Sequence, residues 1–151
     1  MGKAHSMGRR EARPQGKGAR KTGKMTLLLD TTVLLDVLRA RQNRRSLLAD
    51  VVAAGHLLAT SAINIGEVYA GMRRSEEDRT EAFLSSLVCY PMTGAIARRA
   101  GSLRSVWAQK GRTLSLADMM VAATALEHGL ALMTDNRRDF PLPELNFYQL
   151  P

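Results

Sequence analysis

Residues 114–140, LSLADMMVAATALEHGLALMTDNRRDF, constrain the fold more than any other part of the chain. Ser115 suits a helix N-cap, and Asp118, three residues on, falls in the first turn of that helix. Gly129 fits the C′ position that ends it, and residues 130–133 form an apolar run suited to a buried strand. Thr134, Asp135, Asn136 and Asp139 then crowd the carboxyl end of that strand. In an open α/β sheet this is the end where ligands bind. The residues of interest are therefore the others that arrive at the same edge.

The chain before this stretch alternates in the same way. Residues 26–29 form a compact apolar strand followed directly by Asp30. Thr31 or Thr32 can cap a helix whose apolar positions, Val33, Leu34, Val37 and Leu38, recur at helical spacing. A second helix fits residues 46–54, with Gly55 as its stop, and residues 56–60 read as a strand. Ser61 caps the helix that carries Glu67. Ser75, followed by Glu76, Glu77 and Asp78, starts another, with acids set against the positive end of the dipole. Residues 88–92 read as a strand that Pro91 confines to a sheet edge. Residues 93–110 form a long helix with Ile96, Ala100, Leu103 and Trp107 on one face, and residues 146–150 a last short strand. Strands alternating with helices argue for an α/β fold, a mainly parallel sheet with helices on both faces.

A chain of 151 residues holds one domain with a real core. No apolar run approaches the roughly 20 residues of a membrane span, and the basic N-terminus has no apolar segment of the secretory kind. Cys89 stands alone, which rules out an intrachain disulfide, favours a reducing cytoplasmic location, and reads as a small buried hydrophobe. The net charge of +8 is concentrated at one end: residues 1–24 hold eight Lys/Arg against Glu11 alone. A Gly-rich, charged stretch without an apolar face is expected to be a disordered basic tail. It fits either an RNA-attracting arm or an expression remnant or upstream extension ahead of Met25.

Asp30 and Asp135 follow two strands that would run parallel, Asp118 begins the helix leading into the second of them, and Glu67 lies on a helix that follows a third. Acids gathered in this way repel one another unless a cation is present. Mg²⁺ or Mn²⁺ suits an all-oxygen donor set and can neutralise charge on a phosphodiester. Zinc does not fit, because His5, His56 and His128 show no ligand spacing with Cys89. Each acid also has a plainer reading: Ser115 and Asp118 as a capping box, Asp30 as a strand end, Asp135 and Asp139 as turn residues, Glu67 as a solvated helix residue. An aspartyl phosphohydrolase would want a second Asp two residues after Asp30, where Thr32 stands.

Three segments, LLLDTTVLLDVL (27–38), TSAINIGEVYAG (60–71) and the 114–140 stretch, resemble the PIN-domain ribonucleases, in particular the VapC-type toxins of toxin–antitoxin pairs. The resemblance covers nearly all of residues 25–151. It implies a three-layer α/β/α fold and Mg²⁺- or Mn²⁺-dependent endonucleolytic cleavage of single-stranded RNA. Asp30 and Asp118 would be the principal metal ligands, completed by Glu67, with Asp139 in the later acidic position. Thr32 would orient a ligand or bind phosphate. The family often has Asp or Asn where Asn136 stands, and Asp135, one residue out of register, is held in reserve. Arg137 and Arg138, and also Arg73 and Arg74, are candidate RNA contacts. A VapB-like antitoxin and a second copy of the chain are the implied partners. The competing expectation is a degenerate PIN domain that binds RNA or a protein without cutting, which Asn136 favours.

Overall fold

The computed structural model describes residues 23–151. The expectation for the basic tail falls almost wholly on residues 1–22, outside that range. Thirteen elements follow, of which two are single 3₁₀ turns. The regular ones are β1 (Thr26–Leu29), α1 (Thr31–Leu38), α2 (Arg44–Ala53), β2 (Leu57–Ser61), α3 (Ala62–Gly71), α4 (Glu77–Ser85), β3 (Val88–Tyr90), α5 (Gly94–Gln109), α6 (Leu116–His128), β4 (Ala131–Met133) and β5 (Asn146–Phe147). The 3₁₀ turns are Arg74–Glu76 and Arg137–Asp139.

All five strands are parallel, in the order β3-β2-β1-β4-β5. The chain builds outward from β1 through β2 to β3 and then returns to the far side of β1. The point of reversal lies between β1 and β4, so their carboxyl ends flank the crevice where an open sheet of this kind takes its ligand. The pleat sorts the core onto two faces. Leu28 points to the side of α5 and α6, where Ile96, Ala100, Met119, Ala122 and Leu132 are buried. Leu27 and Leu29 point to the side of α1–α4, against Val33, Leu34, Leu48, Val68 and Leu84. This is the three-layer α/β/α arrangement expected from the sequence.

Several local expectations are corrected. Asp30, not Thr31 or Thr32, caps α1, because its carboxylate reaches the Thr31 backbone N–H. Ser75 does not open α4; it lies inside the 3₁₀ turn that precedes that helix. Helix α2 begins two residues early, at Arg44, while β3 and β5 stop after three and two residues. Cys89 is exposed rather than buried, because β3 is an edge strand. Ser61 and Ser115 cap α3 and α6 as read, Thr93 caps α5 rather than opening it, and Gly129 ends α6 at φ 63°.

The link from α1 to α2 is unusual. Ala40, Gln42 and Asn43 have φ of 52°, 59° and 53°. For residues with a side chain the left-handed region costs on the order of 1–2 kcal/mol each, less for Asn. The loop is closed by Arg45, whose Nε donates to the Val37 carbonyl at 2.8 Å at the end of α1.

Candidate active site

Asp30 ties the two central strands together. Its Oδ1 accepts the Thr31 N–H at 2.9 Å and its Oδ2 accepts the Thr134 hydroxyl at 2.7 Å, from the residue just past β4. Only 7% of the residue is exposed. Burial raises its carboxyl above the ordinary range; the two hydrogen bonds oppose the rise, and the charges of Asp139 and Asp135 add to it. Asp118 lies in the first turn of α6, where its N–H donates to the Ser115 hydroxyl at 3.1 Å. Burial first, and then the charges of Asp30, Asp139 and Glu67, push its carboxyl up to about 6. Carboxylates from four separate places in the chain thus act on one another across the end of the sheet.

Glu67 is exposed, yet it is aimed. Its Oε1 accepts the Thr31 hydroxyl at 2.9 Å. That hydroxyl accepts from the Asn64 side-chain amide at 3.0 Å, and the Asn64 carbonyl accepts the buried Ser61 hydroxyl at 2.6 Å. The end of β2 therefore orients an acid on α3 by way of the first residue of α1. Sequence reasoning gave this part to Thr32. The Thr32 hydroxyl is buried without a hydrogen-bond partner among the described residues. Thr31, Asn64 and Thr134 went unassigned, although Thr134 opens the T-x-N-x-x-D-F pattern that ends the 114–140 stretch.

The remaining candidates divide. Asp139, in the 3₁₀ turn Arg137–Asp139, contributes its charge at both Asp30 and Asp118. Asn136 is exposed, and its backbone N–H donates to the Thr134 hydroxyl at 3.0 Å. Asp135 pairs with Arg44 at 2.6 Å. The Arg137 guanidinium stacks over the Phe147 ring at 4.3 Å, and the Arg138 carbonyl accepts from Arg112. Arg73 and Arg74 are exposed beyond the carboxyl end of α3, about 15 Å of helix away from its amino end, which starts at the carboxyl edge of the sheet. Arg73 shares a shallow groove there with Arg39, Arg41 and Glu76.

Among the described residues no three His, Cys, Asp or Glu side chains are drawn into a ready-made metal shell. The donor set still fits a hard divalent cation. It is made of carboxylate oxygens, and two of its members, Asp30 and Asp118, are held above their usual pKa by burial and by the charges of neighbouring acids, which a cation would offset.

The family model of the PIN domain matches residues 27–144. Ribonuclease VapC19 of Mycobacterium tuberculosis is 37% identical over 119 residues, covering 78% of this chain and 95% of the relative. Ribonuclease VapC10 of the same organism is 34% identical over 118 residues, covering 78% and 88%. Among solved structures, a toxin–antitoxin complex from Klebsiella pneumoniae aligns with a TM-score of 0.67 at 31% identity, over 82% of this chain and 99% of that one. VapBC2 from Rickettsia felis, bound to a promoter DNA fragment, shares the fold with a TM-score of 0.73 at 22% identity, over 84% and 100%. The chain belongs to the PIN-domain family. Within that family it is similar to the ribonucleases named VapC.

No helix among the described residues is long and apolar enough to cross a membrane.

Proposed function

We propose that this protein is a divalent-metal-dependent endoribonuclease that cuts single-stranded RNA, the toxin of a VapBC-type pair, with residues 25–151 as its catalytic domain. The observation that carries the reading is the convergence of Asp30, Asp118, Glu67 and Asp139 on the carboxyl ends of β1 and β4, in a chain similar to VapC ribonucleases along most of its length. Asp30 and Asp118 are the principal holders of the ion, with Glu67 and Asp139 completing the set. When bound, Mg²⁺ or Mn²⁺ supplies Lewis-acid polarisation of the phosphodiester. The protein's own part is positional. Thr134 and the Thr31 N–H fix both oxygens of Asp30, and Thr31 holds Glu67 in place. In the metal-free chain Asp118 stands at about 6, a rise that a bound cation would reverse by favouring its carboxylate.

Arg137, Arg138 and Asn136 stand on the same turn as Asp139, where they can meet RNA phosphates. Arg73 and Arg74 are the more distant contact. Asp139 supplies the later acid, so Asn136 does not weigh for a non-cutting module. The partners are a VapB-like antitoxin, which the toxin–antitoxin complexes among the similar structures support, and a second copy of the chain. The location is cytoplasmic.

The test is incubation of the full chain with a loop-rich RNA, with Mg²⁺, with Mn²⁺ and with a chelator. Cleavage should require the metal and fall at least ~100-fold in Asp30→Asn and in Asp118→Asn, the scale at which loss of an electrostatic catalytic group is felt. Cleavage that persists in chelator, or in both variants, would contradict the reading.

A further inference from the structure

Asp135 lies one residue past the hydroxyl that locks Asp30, and it adds its charge to that carboxylate. Its carboxylate is nevertheless engaged by Arg44. Arg44 is the first residue of α2, 6% exposed, and its Nη2 meets Asp135 Oδ1 at 2.6 Å across 91 residues of chain. Among the described residues no other acid is within ion-pair distance of it, and its Nε has no partner. The three positive-φ residues Ala40, Gln42 and Asn43 come directly before it in the chain. The Arg45 bond to Val37 pins the same loop to α1. A strained loop thus delivers one buried cation to one acid beside the site.

We propose that Arg44 is a positioning residue that holds Asp135 out of the metal-binding cluster and so sets the number of free carboxylates facing the ion. This rests on the metal-dependent reading above. It makes a prediction about charge that packing alone does not make. Without Arg44, Asp135 becomes an uncompensated negative charge beside Asp30, and a divalent cation is held more tightly but in the wrong surroundings. Without the Asp135 carboxylate, Arg44 becomes an uncompensated positive charge and the cation is held more weakly.

The experiment is titration of the full chain with Mn²⁺ by calorimetry, together with RNA cleavage rates. Arg44→Met should bind Mn²⁺ roughly 3–10-fold more tightly and cut more slowly, and Asp135→Asn should bind it more weakly by a similar factor, as expected of a unit charge a few ångströms beyond the ligands. The double variant Arg44→Met/Asp135→Asn should return to near the wild-type affinity, and Arg44→Lys, which keeps the charge if Arg44→Met does not fold, should stay there throughout. Shifts of both single variants in the same direction, or affinities unchanged in all of them, would overturn the proposal while leaving the nuclease reading in place. A wild-type chain that binds no Mn²⁺ would overturn both.

Discussion

Asp118 and Asp30 are raised carboxyls, and the direction of the shift has a consequence that can be measured. A carboxyl whose folded pKa lies above its unfolded value binds its proton more tightly in the native state. Its contribution to stability is therefore present in full below about pH 4 and is lost as pH rises through the folded value, about 6 for Asp118. The metal-free protein should lose stability between pH 4 and pH 6 from this source. Asp118→Asn should remove that slope and raise stability at pH 7 by about 1 kcal/mol, a figure reduced for solvent screening because the side chain is only half-buried. Thermal melts across that pH range, in chelator, check it; an unchanged slope in the variant would contradict the assignment. The acids themselves were legible in the sequence because strand ends and helix caps are local signals. Thr31, Asn64, Thr134 and Arg44 were not, because what a hydroxyl or guanidinium does depends on the group opposite it in space, here 33 to 104 residues away in the chain.

At the scale of elements, the order of strands and helices followed from periodicity, since each apolar run was either a short buried strand or a face repeating every three to four residues. The misjudged boundaries have separate causes. Asp30 was read as an acid awaiting a ligand, so its use as a helix cap was given to its neighbours, and the start of α4 was read from a Ser that the chain uses inside a 3₁₀ turn. The α1–α2 loop carried no sequence signal at all, because Ala40 and Gln42 are ordinary residues in conformations usually left to glycine. Ala40 is exposed, so Ala40→Gly should relieve its strain without disturbing packing. An increase in unfolding free energy of about 0.5–1 kcal/mol is expected, the strain relieved being partly offset by the greater freedom of Gly in the unfolded chain. Denaturant unfolding measures it, and a loss of stability would show that the loop is not strained as its dihedrals indicate.

At the scale of the whole molecule, the strand order determines where chemistry can occur. Reversal of the winding between β1 and β4 sets a crevice between Asp30 and the Thr134–Asp139 segment, while α3 and α6 bring in Glu67 and Asp118 from opposite faces of the sheet. The net charge of the chain says little about this, since the excess of Lys and Arg lies in the first 24 residues. What the protein concentrates at the crevice is negative charge, and a nuclease built around negative charge needs a cation between itself and its substrate. The most direct measurement is anomalous diffraction at the manganese edge from crystals of the chain grown or soaked with Mn²⁺. The account predicts a peak at about 2.0–2.4 Å from carboxylate oxygens of both Asp30 and Asp118, the range for a hard cation on oxygen ligands. Manganese bound elsewhere on the protein, with those two carboxylates untouched, would contradict it.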